Sequence, residues 1–110
     1  MTDIQTFSRL TPTEKRIESY ATMPNGMRLS MVTHKTFDGL LVTRVSAARV
    51  EDGFVKYVMG RDYNVVLERA KKRCTSKNVQ EQHDFHLKDF PILMEAATKY
   101  YGVTIVQIGA

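Results

Sequence analysis

The sequence predicts an α+β domain, an antiparallel β-meander of four to five strands with two helices packed on one face. Three observations predict it. Glycine pairs punctuate the first half at Asn25-Gly26, Asp38-Gly39 and Asp52-Gly53, and such pairs supply the positive φ angles of tight hairpin turns. The runs between them are β-branched and aromatic. Beyond Gly60 the apolar residues change to a helical spacing. A chain of 110 residues has the size of one domain with one hydrophobic core, so residues 1–110 are read as a single unit.

Two patterns compete before the first turn. Thr11-Pro12-Thr13-Glu14 carries the residues of a helix start. Ile17 to Met23 suits a strand paired across Asn25-Gly26, and that reading is preferred because the turn is a strong local signal. Met27, Leu29 and Met31 then alternate with polar residues until Val32 breaks the pattern. Leu40 to Val50 has apolar residues in both alternating registers. This predicts a central strand, or one whose second face is covered by the N-terminus or a partner; a second copy of the chain is one candidate. Phe54 to Met59 surrounds Lys56 with apolar residues and completes the meander.

From Asp62, read as an N-cap, the residues Tyr63, Val66, Leu67, Ala70 and Cys74 fall on one helical stripe. This predicts an amphipathic helix over 63–74. Thr75 to His86 is polar and reads as a loop. Asp89 and Pro91 open a second helix over 90–101, with Phe90, Leu93, Met94, Ala97, Tyr100 and Tyr101 on a wide apolar face and Gly102 as its cap. Val103 to Ile108 reads as a last strand.

The chain has one cysteine, so no internal disulfide is expected. The N-terminal MTDIQTFSRL lacks a basic segment followed by an apolar run, and no apolar stretch is long enough to span a bilayer. A soluble cytoplasmic protein that does not engage membranes is the expectation. The apolar share is 43% and the charged share 25%, ordinary globular values.

The net charge is +4 and the pI about 9.3. Between residues 61 and 77 there are six basic residues, Arg61, Arg69, Lys71, Lys72, Arg73 and Lys77, against Asp62 and Glu68. Elsewhere ten basic residues meet ten acidic ones, so the excess sits in the predicted helix and its exit. Cations off the apolar stripe suit phosphate contacts; they also suit a solvated helix face with cations at its negative end.

The glycines never reach the spacing of a phosphate-binding loop. Cys74, His83, Asp84 and His86 are close in sequence but too loosely patterned to predict a metal centre. No nucleophile, base and orienting group can be paired from the sequence, so no catalytic residue is assigned and no cofactor is expected. The tyrosines suit base stacking, though most fall beside core runs. The leading expectation is a small non-enzymatic binding protein whose basic helix contacts nucleic-acid backbone without strong sequence preference. The alternatives are a protein–protein interaction module, a small regulator or inhibitor meeting an acidic protein surface, and an enzyme of unrecognised type.

Overall fold

The computed structural model describes residues 3–102. Six strands and two helices follow in the order β1 (Gln5–Leu10), β2 (Lys15–Thr22), β3 (Arg28–Lys35), β4 (Leu40–Glu51), β5 (Phe54–Lys56), β6 (Asn64–Arg73), α1 (Ser76–Leu87) and α2 (Phe90–Tyr100). All pairings are antiparallel and run β1-β2-β3-β4-β5, with β6 also paired to β4. The α+β meander predicted from the sequence is the architecture found. β5 and β6 lie on the same edge of β4, facing Arg49–Glu51 and Leu40–Ser46 respectively. Together they act as one interrupted strand.

The turns form as their residues dictate. At Asp52-Gly53 both residues have positive φ (52° and 80°), which gives the two-residue hairpin whose twist matches its strands. Thr11-Pro12-Thr13-Glu14 joins β1 to β2 and starts no helix. The Glu14 N–H donates to Thr11 Oγ1 at 2.9 Å. That is the bond a helix cap would make, used here to close a turn. Ile17 to Thr22 is strand, as the turn signal favoured.

Two expectations are overturned. Residues 64–73 form strand β6, where the apolar stripe predicts a helix. The register slips between Thr43 and Arg44 and again between Leu40 and Leu41, so β6 carries extra residues opposite β4. Bulges break the period of two. Tyr63, Leu67, Ala70 and Cys74 all reach the core at intervals of three or four residues, which imitates a helix. Asp62 is no helix cap either. Its buried carboxylate accepts the Val58 N–H at 2.8 Å and meets Arg49 Nη2 at 3.2 Å, which folds the 57–63 excursion onto the sheet. The second correction concerns Thr75 to His86, which is helix α1 and its cap, not a loop. Thr75 and Asn78 form a reciprocal capping box, and Val79, Gln82 and His83 bury one face. The expected 90–101 helix is present as α2. The expected strand at 103–108 lies outside the described residues.

Both helices cover one face of the sheet. Phe90, Met94 and Ala97 of α2 pack with Ala21, Leu29, Met31, Val45 and Ala47. Val79 of α1 packs with Ile17, Leu41 and Cys74. Between these apolar clusters α1 is fixed by a polar chain. Gln82 Nε2 donates to Thr43 Oγ1 at 2.9 Å, and Thr43 and Thr33 share a bond at 2.8 Å. Thr33 Oγ1 meets His83 Nδ1 at 2.9 Å, and His83 Nε2 meets Ser19 Oγ at 2.8 Å. If each hydroxyl donates onward from Gln82, Nδ1 is an acceptor and Nε2 carries the proton, so a neutral imidazole fits the whole chain.

His83 has no exposed surface, and burial lowers its pKa from 6.5, with smaller opposing and reinforcing effects of Asp84 and His86. The folded protein therefore binds this proton less readily than the unfolded chain. Stability is full above pH 6.5 and falls as pH drops below it toward the folded pKa, by at most about 1.4 kcal/mol per pH unit for one proton. Denaturant melts of wild type and His83→Gln over this range should differ in slope, the variant being flatter; parallel curves refute the neutral, buried imidazole. Cys74 is 7% exposed, and its thiol pKa is raised by burial against the pull of Lys15 and Lys35. Cys74→Ala should cost on the order of 1 kcal/mol. The native thiol should resist a maleimide until the protein is unfolded.

Candidate functional site

Register places side chains on the sheet's second face, which carries no helix among the described residues. One row runs Arg9, Arg16, His34, Val42 and Arg69 across five strands. The next holds Phe7, Glu18, Val32, Arg44 and Val66, and a third holds Gln5, Tyr20, Ser30, Ser46 and Asn64. Arg28 stands opposite Ala48, and Arg73 opposite Leu40. Six of the chain's eight arginines thus share this face, and none of its register positions holds a lysine. The one carboxylate among them, Glu18, is held by Arg16 at 3.0 Å.

One contact on this face costs stability on its own. Arg9 and Arg16 are direct cross-strand partners, and like charges so placed repel. They are eased by Glu14, 3.4 Å from Arg9, and by Glu18. Arg28, Arg44, Arg69 and Arg73 make no ion pair among the described residues. Beside the charges is a stack. The Arg28 guanidinium lies 4.0 Å from the Tyr20 ring centroid, and Tyr20 stacks on Phe7 at 5.7 Å and 14°. Phe7 ends the stack 60% exposed.

The six cations singled out in the sequence are not one patch. Because β6 is a strand, neighbouring side chains diverge. Arg69 and Arg73 join the second face, and Lys71 lines the adjacent edge with Leu40 and Arg69. Lys72 instead lines a shallow cavity with Glu68, Glu81 and Phe85 on the helix side. Lys77 lies in α1, 3.9 Å from Glu81. Arg61 sits in the 57–63 excursion, where its carbonyl accepts the Tyr100 hydroxyl at 3.1 Å. Arg9, Arg16, Arg28 and Arg44 have no cluster in sequence to reveal them; only alternation within correctly registered strands could have gathered them.

The other chemistry-bearing groups are occupied. Ser19 and His83 have the separation of a nucleophile and base, but both are fully buried, and the second imidazole nitrogen meets a threonine, not a carboxylate. The pair is a strut between α1 and the sheet. Cys74 packs among apolar side chains, and His86 Nε2 bonds Glu68 at 2.7 Å. Among the described residues no three His, Cys, Asp or Glu side chains converge on a metal position. Nor is any helix among them long and apolar enough to cross a membrane. Set beside known proteins, the chain matches no family model, no curated protein and no solved structure, so the chemistry of this face has to come from its own residues.

Proposed function

We propose that the protein is a non-enzymatic binder of single-stranded nucleic acid, which lies across the second face of the sheet and is held without strong sequence preference. The observation that carries this reading is the gathering of Arg9, Arg16, Arg28, Arg44, Arg69 and Arg73 on one face. Arginine presents a planar fork that suits phosphate and stacks on bases, while lysine acts as a point charge. Phe7 and Tyr20 add an aromatic platform that accepts any base.

A single strand fits better than a duplex. Strands about 4.8 Å apart put Arg9 and Arg69 about 19 Å from each other. The major groove is only about 12 Å wide, so this whole face cannot enter it. An extended single strand is narrow enough to lie along the face and meet several of its arginines in turn. The predicted contact surface therefore moves from a basic helix to the sheet, with Arg69, Arg73 and Lys71 kept at its edge and Arg61, Lys72 and Lys77 outside it.

Replacing Arg9, Arg28 and Arg69 together by Gln should weaken binding of unrelated oligonucleotides alike. The log–log salt slope should shrink by about 2, at about 0.7 per lost phosphate contact on a single strand. Phe7→Ala should weaken binding by about tenfold or more with little change in that slope, because stacking releases no counterions. Anisotropy titrations of labelled oligonucleotides at several salt concentrations check both. Retention of an acidic protein with no retention of any oligonucleotide at low salt refutes the reading in favour of an interaction module.

A further inference from the structure

The arginine face ends in a cavity of about 380 Å³ under the β1–β2 turn. Arg16, Val32, His34 and Arg44 line it from the sheet, and Thr13 and Glu14 of the turn close one end. Lys15 and Lys35 complete the lining. Their ammonium groups donate to the carbonyls of Pro12 at 3.1 Å and Thr13 at 3.1 Å, which ties the turn down as a wall. We infer that this cavity binds a phosphate monoester, the terminal phosphate of a strand lying on the arginine face. The inference rests on the proposed nucleic-acid reading and adds a preferred end to it.

Three observations support a terminal phosphate over an internal one. The first is charge. Arg16 and Arg44 line the cavity from the sheet, and the one acidic residue of the lining, Glu14, has its carboxylate engaged by Arg9 at 3.4 Å. A phosphate monoester carries up to two negative charges near neutral pH, a diester only one, so the monoester gains more from this field. The second is an unused donor. Arg44 Nε is buried and has no hydrogen-bond partner among the described residues, although buried donors are nearly always paired. Arg44, which lines the cavity, also has no anionic partner among the described residues. The third is shape. A wall at one end suits the end of a chain, whereas an internal diester must leave in both directions. The volume lies in the range of small-ligand sites, sufficient for a terminal nucleotide as well as its phosphate.

The test uses the full chain and short labelled oligothymidylates carrying a 5′-phosphate, a 3′-phosphate or hydroxyls at both ends, with thymidine 5′-monophosphate as competitor. One phosphorylated end should bind about tenfold tighter than the hydroxyl form, the gain expected for added charge-assisted hydrogen bonds. Arg44→Gln should bring that preference close to unity, and Arg44→Lys should keep part of it. Should Arg44→Gln lose its circular dichroism spectrum, Arg16→Gln decides, since the Arg16 side chain is 43% exposed and tolerates replacement. Equal binding of all three oligonucleotides overturns the terminal-phosphate site and leaves the face reading intact. Absence of binding by every oligonucleotide overturns both. Displacement by the mononucleotide as effective as by the phosphorylated oligonucleotide overturns the strand end as the source and assigns the cavity to free nucleotides.

Discussion

The molecule depends on pairing both edges of β4. This strand runs twelve residues, from Leu40 to Glu51, with buried apolar side chains on both faces, among them Leu41, Val45 and Ala47 on one and Val42 and Ala48 on the other. A strand so placed cannot leave either row of backbone N–H and C=O groups unpaired. β3 satisfies one edge along Leu41–Ala48. The other edge needs a partner equally long, and only the chain after the Asp52-Gly53 hairpin is close enough to supply it. β5 begins the pairing and β6 resumes it after the excursion fixed by Asp62. This constraint prevails over the helical appearance of residues 63–74, and it turns a supposed basic helix into a cationic edge strand. Lys71, Lys72 and Arg73 on such an edge also oppose pairing with another chain.

Covering β4 on one face commits the helices, and they do so by different chemistry. α2 buries Phe90, Met94 and Ala97 in an apolar cluster. α1 has little apolar surface and binds through Gln82 and His83 to hydroxyls on three neighbouring strands, Ser19, Thr33 and Thr43. Apolar contact alone would let a helix slide; directional bonds to three strands fix its position. The chain of hydroxyls also explains why a histidine is buried without a charge partner: each nitrogen already has a neutral one.

Much of the meander was legible because its signals are local. Asn25-Gly26, Asp38-Gly39 and Asp52-Gly53 each mark a turn, and α2 has an apolar stripe unbroken by bulges. What was not legible depends on long-range context. β6 disguises itself through two register slips against β4. β1 is exposed at every residue, so burial imposes no alternation on it. α1 buries polar groups, and its Thr75–Asn78 box lacks the more familiar glutamate. The site was less legible still. Charge clustering along the chain found Arg69 and Arg73, but it also drew in Lys72 and Lys77, which point elsewhere. It passed over Arg9, Arg16, Arg28 and Arg44, which lie on four different strands and become neighbours only once the register is set.

The two faces of the sheet are therefore built under different rules. Beneath α1 the helix-covered face relies on neutral polar groups: hydroxyls, an amide and a neutral imidazole join the helix to the sheet. The other face collects arginine, and several of these arginines have no ion pair among the described residues. Folding alone does not call for that arrangement, since adjacent cations repel and Arg44 leaves a buried donor unused. Alternating polar residues of mixed charge would solvate the face equally well and pair better across strands. Repulsion between fixed cations is relieved when an anion is shared between them, and an unpaired guanidinium donor gains most from an acceptor that arrives with its own charge. The unfavourable contacts of the free protein are thus the ones that a phosphate-bearing strand would convert into favourable ones. The edge lysines, by contrast, stand in water and are explained without any ligand.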